Sequence, residues 1–348
     1  MSEGLADGFR RLIASFGPVP VARFMGESNA HYYATRDPLG SAGDFTTAPE
    51  ISQMFGELAG LWLADLWDRA GRPRDAVYAE LGPGRGTLAK DALRAMAGAR
   101  LRPEVHLVEG SPELRALQTA AVPGATFHDD AAGLPEHRPL LLVANEFLDA
   151  LPIRQLVRTE AGWRERMIGL EGEGFAFVAG PQPMDQVVPA AFADCPAGTI
   201  VEANPGAAAV VGEIAQRLVS QGGAALFVDY GHLEPRTGST LQAVKGHRTV
   251  DPLAMPGEAD LTAHVDFAML AEIAGRAGCR VQAATQGQWL AAIGIALRAE
   301  ALARAEPARA AEVAMARDRL TAPGQMGELF KVMAITAPDW PEGAGFAP

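Results

Sequence analysis

The residues of this chain best placed to do chemistry are acids and amides that follow short apolar runs. Glu80 precedes Gly82-Pro83-Gly84-Arg85-Gly86-Thr87, and Glu109 ends Val105-His-Leu-Val-Glu109. Asp129 and Asp130 follow Ala125-Thr-Phe-His128, and Asn145-Glu146-x-x-Asp149 follows Leu140-Leu-Leu-Val-Ala144. A carboxylate accepts two hydrogen bonds at once, so Glu109 could take both hydroxyls of a ribose. Asp129 or Asp130 could accept from an adenine amino group. Two carboxylates beside an amide, as in Asn145, Glu146 and Asp149, can hold a cationic group in a fixed orientation. Each acid also has a plain alternative, because acids at strand ends often cap the next helix. Asn145 could likewise cap a helix with Glu146 in its first turn, but Pro152 would cut that helix short.

These residues need a scaffold that brings the ends of several strands to one rim. The chain alternates accordingly. Strands are predicted at 76–81, 104–108, 125–128, 140–144, 224–228, 280–284 and 329–335, and helices at 87–96, 112–121 and 207–220. The fully apolar runs Leu140 to Ala144 and Ala224 to Val228 read as strands buried on both faces. The fold class is therefore α/β, a doubly wound and mostly parallel sheet. Ligands in such sheets bind outside the carboxyl ends of the strands, which is where all these acids fall.

A helical extension precedes the first core strand. Residues 4–16 and 19–25 read as helices, 33–49 as loop-like, and 50–68 as an amphipathic helix with Ile51, Met54, Leu58, Leu61, Trp62 and Leu66 on its apolar face. Residues 153–178 read as a β-hairpin or meander turning at Glu160-Ala-Gly162, and 289–320 as Ala- and Arg-rich helix. The predicted organisation is an N-terminal extension (1–75) that completes the ligand pocket, a main domain (76–336) with insertions near 153–200 and 290–320, and a mobile Pro/Gly-rich tail (337–348).

The glycine turn narrows the ligand. Its spacing, Glu80-x-Gly82-x-Gly84-x-Gly86, differs from the dinucleotide fingerprint G-x-G-x-x-G, whose third glycine comes one place later. It fits S-adenosylmethionine enzymes better than NAD enzymes. With a formal net charge of −12 the chain lacks the basic balance of a nucleic-acid binder. No apolar run has the length of a membrane span, and the N-terminus lacks the form of a secretory signal. Two widely spaced cysteines suit a reduced, cytoplasmic protein. The seven histidines form no metal-binding motif, so no metal is expected.

Four segments stand together in order: Gly43-Asp-Phe-Thr-Thr-Ala-Pro-Glu-Ile-Ser-Gln-Met-Phe-Gly-Glu57, Glu80-Leu-Gly-Pro-Gly-Arg-Gly-Thr87, Ala144-Asn-Glu-Phe-Leu-Asp-Ala-Leu-Pro152 and Asp260-Leu-Thr-Ala-His-Val-Asp-Phe267. From about Gly17 to Ile335 the chain resembles the MidA family of class I SAM-dependent methyltransferases, whose mitochondrial members assemble complex I and dimethylate an arginine of a core subunit. One departure is Asn29-Ala-His-Tyr-Tyr33, where family members usually carry Gly-Tyr-Tyr.

The resemblance implies a seven-stranded sheet with an antiparallel last strand, S-adenosyl-L-methionine as cofactor and a protein arginine as acceptor, on a complex I subunit or a similar protein. It implies cofactor contacts from Phe45, Thr47 and Gln53, beside Glu80, Gly82, Pro83, Gly84, Gly86, Thr87, Glu109, Asp129, Asp130 and Asn145. For catalysis Glu146 is the first candidate, to hold charge on one guanidinium nitrogen and leave another more reactive. Asp149, Asn145 and Glu202 follow. The 260–267 motif would order a lid or substrate wall, or simply start a helix. A SAM-binding assembly chaperone without catalysis, and an NAD-dependent oxidoreductase, are the competing readings.

Overall fold

The computed structural model describes residues 4–35, 46–246 and 248–346. The chain forms two compact units. One comprises Met1–Phe45, Asp149–Ala207 and Glu234–Asp266, the other Thr46–Leu148, Ala208–Leu233 and Phe267–Pro348. The expected N-terminal extension is thus shared between them, and Phe45 lies outside the described residues.

The second unit carries the parallel sheet. Its strands are β1 (Val77–Leu81), β2 (Glu104–Val108), β3 (Thr126–His128), β4 (Leu140–Asn145), β5 (Gly223–His232), β6 (Arg280–Thr285) and β7 (Phe330–Thr336). Side by side they run β6-β7-β5-β4-β1-β2-β3. Strands β3, β2, β1, β4 and β5 pair in parallel, while β7 is antiparallel to both β5 and β6. All residues of β1 and β4 are buried, as a central strand with both faces covered requires. The strand order reverses between β1 and β4, so the ligand crevice of this topology lies beyond Leu81 and Asn145.

Three helices of this unit matter for the site: α1 (Gln53–Arg69), α2 (Thr87–Gly98) and α3 (Pro112–Ala121). The helix expected over 50–68 is broken at Ser52. Ser52 is extended, and its hydroxyl accepts from the Met54 N–H to cap α1, leaving Ala48–Ile51 as a separate turn. Met54, Leu58, Trp62 and Leu66 are buried as expected, but Leu61 is 43% exposed. A second face of α1 is spent on α2. A Cβ on Gly60 would stand 2.4 Å from the Ala92 carbonyl oxygen, and one on Gly56 would stand 2.8 Å from Asp91 Cβ. Only bare backbone allows so close an approach.

The 290–320 region is helical as expected, over Ile295–Ala305 and Ala310–Thr321. Arg298 donates twice to the Glu57 carboxylate on α1, at 2.6 and 2.8 Å, and Arg94 on α2 adds a third bond at 2.8 Å. Three helices therefore share one buried acid. Described residues past β7 bond to the rest of this unit. Trp340 is buried, the Arg280 guanidinium donates to its carbonyl, and the Trp62 indole donates to the Ala344 carbonyl.

The first unit is built on antiparallel strands. Arg154–Thr159, Gly162–Glu171 and Gly174–Pro183 form the expected meander. Residues 19–25 are helical as expected from Val21 on, but the first two depart from that reading. Val19–Pro20 pairs with Ile168 and Met167 at a sheet edge, where a proline's missing N–H costs nothing. The helix runs instead over Val21–Thr35. Phe9, Phe24, Ile153, Ile168 and Leu261 lie in this unit's core.

The glycine contact between α1 and α2 yields a prediction. Gly60→Ala forces overlap with backbone at Ala92 and should cost about 1–3 kcal/mol. Gly98→Ala, with open space around it, should cost nothing comparable. Urea unfolding of both variants checks the contrast.

Candidate active site

The glycine turn is where β1 hands the chain to α2. Gly82, Gly84 and Gly86 have φ of 60°, 54° and 78°, a region that favours glycine. The Gly82 N–H donates to the Val108 carbonyl and the Gly86 N–H to the Pro83 carbonyl. A Cβ on Gly82 would stand 2.7 Å from the Phe147 ring. The turn therefore has bare backbone by necessity, with a helix N-terminus directly behind it. Thr87, first in α2, donates its hydroxyl to Glu50 on the Ala48–Ile51 turn. Thr47 caps that turn through its backbone, and its carbonyl accepts from the Glu50 and Ile51 N–H groups. Gln53 is exposed and donates to Glu57.

Glu80 sits on β1, fully enclosed, and accepts the Tyr78 hydroxyl at 2.5 Å. Burial pushes its carboxyl up to about 8, against the lowering effect of that hydroxyl. It is therefore protonated at neutral pH unless a cation is brought beside it.

Glu109 ends β2. Its Oε1 accepts the Ser111 N–H at 2.9 Å and its Oε2 accepts the Gln118 amide at 3.1 Å. The same amide donates to the Gly84 carbonyl at 2.7 Å. Gln118 on α3 thus ties the acid to the glycine turn, a role that sequence reasoning missed. Its fully buried position, one helix beyond the turn, was the available signal. Asp130 serves as a cap. Its side chain accepts the Gly133 N–H ahead of the short helical turn Ala131–Gly133. Asp129 is exposed and paired with Arg115 at 2.6 Å.

Past β4 the helix alternative is not realised, since no helix follows Asn145 before the strand Arg154–Thr159. Glu146 takes a left-handed backbone, with φ 51°. Such a conformation costs a non-glycine residue roughly 1–2 kcal/mol. Its Oε1 accepts the Ala48 N–H at 3.0 Å and the Asn145 amide at 3.2 Å. The Asn145 side-chain oxygen is buried with no partner among the described residues. Asp149 belongs to the first unit. There it is buried, and its charge, with that of Asp260, raises the Tyr33 phenol beyond what burial alone does.

The Tyr33 hydroxyl donates to Asp260 at 2.9 Å, and Asn29 bonds both the N–H and the carbonyl of Leu261. The Asn29-to-Tyr33 segment and the 260–267 motif are thus joined within one unit. Glu202, the remaining acid considered, is already engaged by Gln155 and by the backbone and hydroxyl of Thr240.

The residues around the switch point fit an adenosine-bearing cation. Bare backbone at three glycines, a buried orphan amide oxygen on Asn145 and a two-oxygen acid at Glu109 are the acceptors and the space such a ligand needs.

Glu80 makes the pH dependence of stability testable. Its folded-state affinity for a proton exceeds its unfolded one, so the native state binds more protons between about pH 4.5 and pH 8. Stability should therefore fall as pH rises through that window. In Glu80→Gln this slope should be reduced. Denaturant midpoints at pH 5, 6.5 and 8 for both proteins provide the measurement.

Known proteins resemble this chain over most of its length. The family of S-adenosyl-L-methionine-dependent methyltransferases designated Methyltransf_28 matches residues 58–285. The protein arginine methyltransferase NDUFAF7, mitochondrial, of Xenopus tropicalis is 35% identical over 93% of this chain and 83% of its own length. The Homo sapiens protein of that name is 34% identical over 93% of this chain and 81% of its own. A crystal structure of a Burkholderia thailandensis protein bound to S-adenosyl-homocysteine superposes with a TM-score of 0.85 at 29% identity, over 96% of this chain and 92% of that one. The chain belongs to the MidA family and is an S-adenosyl-L-methionine-dependent methyltransferase of the class I α/β fold.

Proposed function

We propose that the enzyme methylates a protein arginine, on a respiratory complex I subunit or a similar protein. One observation carries the reading: relatives named protein arginine methyltransferases align over 93–95% of the chain at 34–36% identity. We also read β1 to β7 as the doubly wound, seven-stranded methyltransferase sheet.

Glu80, the backbone of Gly82 to Gly86, Glu109 and Asn145 would hold the cofactor, with Thr47 and Thr87 closing one side. Bound S-adenosyl-L-methionine supplies an activated methyl on a cationic sulfur. The burden on the protein is then positioning and exclusion of water. The orphan oxygen of Asn145 would accept from the cofactor's amino group. Glu80 would ionise as that positive charge arrives, because a cation nearby lowers a carboxyl pKa. Arginine is a poor nucleophile while its charge is delocalised. Glu146 would draw that charge to one guanidinium nitrogen, leave a second nitrogen able to attack, and accept the proton released. Its Oε1 is already held by Ala48 and Asn145, which fixes the carboxylate's orientation. The free cysteines Cys195 and Cys279 suit a reducing compartment such as a bacterial cytoplasm, and no helix among the described residues is long and apolar enough to cross a membrane.

The enzyme is to be incubated with methyl-labelled S-adenosyl-L-methionine and protein extract from a strain lacking its gene, and methyl groups mapped by mass spectrometry. Label on arginine is expected. Cofactor binding without transfer would favour the chaperone reading, and label on another residue type would refute the arginine acceptor. Glu146→Gln should lower turnover about 10²-fold or more, with S-adenosyl-homocysteine affinity within about threefold by calorimetry. Unchanged turnover would remove Glu146 from the mechanism.

A further inference from the structure

We propose that Asp229 is a positioning residue for methyl transfer, whose carboxylate locks the turn Glu146-Phe147-Leu148 and thereby sets where Glu146 and Phe147 stand. The proposal rests on the reading of Glu146 given above.

Strand β5 runs in parallel register with β4 as far as Val228 opposite Asn145. The Glu146 N–H still finds a strand acceptor, the Val228 carbonyl at 2.9 Å. The next two N–H groups do not. Both turn to one oxygen of Asp229: Phe147 donates to Oδ2 at 3.1 Å and Leu148 at 2.8 Å. The other oxygen, Oδ1, accepts the Tyr230 N–H at 2.9 Å. Asp229 is 1% exposed, so these bonds form away from water and a lost one is not replaced cheaply. No helix begins at Phe147, so the acid is not an ordinary helix cap.

What the clamp holds is the strained element of the site. Glu146 has a left-handed backbone that relaxation would abandon, and its carboxylate reaches Ala48 and Asn145 from that conformation. Phe147 packs so closely on Gly82 that a Cβ there would collide with its ring. One buried acid therefore couples the proposed catalytic carboxylate to the glycine turn. In these bonds the Asp229 carboxylate meets backbone N–H groups rather than the side chains of Phe147 and Leu148. The coupling runs through backbone, which is why side-chain chemistry in the sequence does not reveal it.

The test compares Asp229→Asn and Asp229→Ala with the wild type, using labelled transfer into the same protein extract. Asn keeps one acceptor oxygen, but its amide meets the Tyr230 N–H donor to donor. Apparent kcat should fall about 10-fold in Asp229→Asn and about 10²-fold in Asp229→Ala, as expected for small misplacement of reacting groups. The KM for S-adenosyl-L-methionine should stay within about threefold. In a Glu146→Gln background, Asp229→Asn should have little further effect. Full kcat in both variants overturns the proposal. So does a loss that multiplies independently with that of Glu146→Gln, although Glu146 itself would then stand. If Glu146→Gln is fully active, the reading of Glu146 fails first and this proposal with it. Should the variants not fold, amide exchange on the wild type decides: slow exchange at Phe147 and Leu148 is expected, and solvent-like exchange overturns the clamp.

Discussion

Backbone N–H groups left without a partner where a parallel sheet ends are the constraint behind this site. Beyond β1, β2 and β4 the neighbouring strands still accept the first N–H, from Gly82, Glu109 and Glu146, but later donors have no strand to serve them. Carboxylates serve several of these, and also donors away from the strand ends such as Ala48. Glu109 takes the Ser111 N–H, Asp130 takes Gly133, Glu146 takes Ala48, and Asp229 takes Phe147, Leu148 and Tyr230. The rim acids read from the sequence as ligand contacts are therefore structural acceptors as well. The two roles are compatible because each carboxylate oxygen can accept more than one hydrogen bond. Asp129 and Asp130 are themselves exposed, the first paired with the partly buried Arg115 and the second with the Gly133 N–H.

Close approach of backbone is the second theme. Gly82 admits the Phe147 ring, and Gly56 and Gly60 admit α2. The latter pair fixes α1 against α2, and Glu57 then gathers Arg94 and Arg298 so that the helix Ile295–Ala305 is held to the same corner. The bonds from both arginines outweigh the desolvation of Glu57, and its carboxyl lies below its ordinary range although burial acts to raise it. Glu80, with only a phenol for company, goes the other way. Two buried acids in one unit are thus set to opposite charge states by their neighbours. One is a structural anion, and the other is a neutral group that a bound cation would ionise.

Chemistry at this rim depends on geometry more than on unusual nucleophiles. No side chain needs to attack anything. The left-handed turn, the Ala48 donor and the Asn145 amide together fix the direction in which the Glu146 carboxylate faces. Strain at such a residue persists only where the surroundings over-determine it.

The sequence alone determined the α/β alternation, the glycine turn, the family, and the core strands to within a residue or two, except that β5 continues past Val228 to His232. These rest on local pattern: apolar runs, glycine spacing and long contiguous motifs survive without three-dimensional context. Other features were decided by tertiary structure. Ser52 splits the helix predicted over 50–68, and Val19–Pro20 joins a sheet edge made by residues some 150 positions away. The Asn145-to-Asp149 group, contiguous in sequence, is divided between two compact units at Leu148. In the sequence Asp229 is one more acid after an apolar run, and Gln118 one glutamine in a helical segment. Their roles depend on which distant N–H or carbonyl is left over when the sheet and helices have paired. That remainder is a property of the assembled backbone, and no local pattern in the chain encodes it.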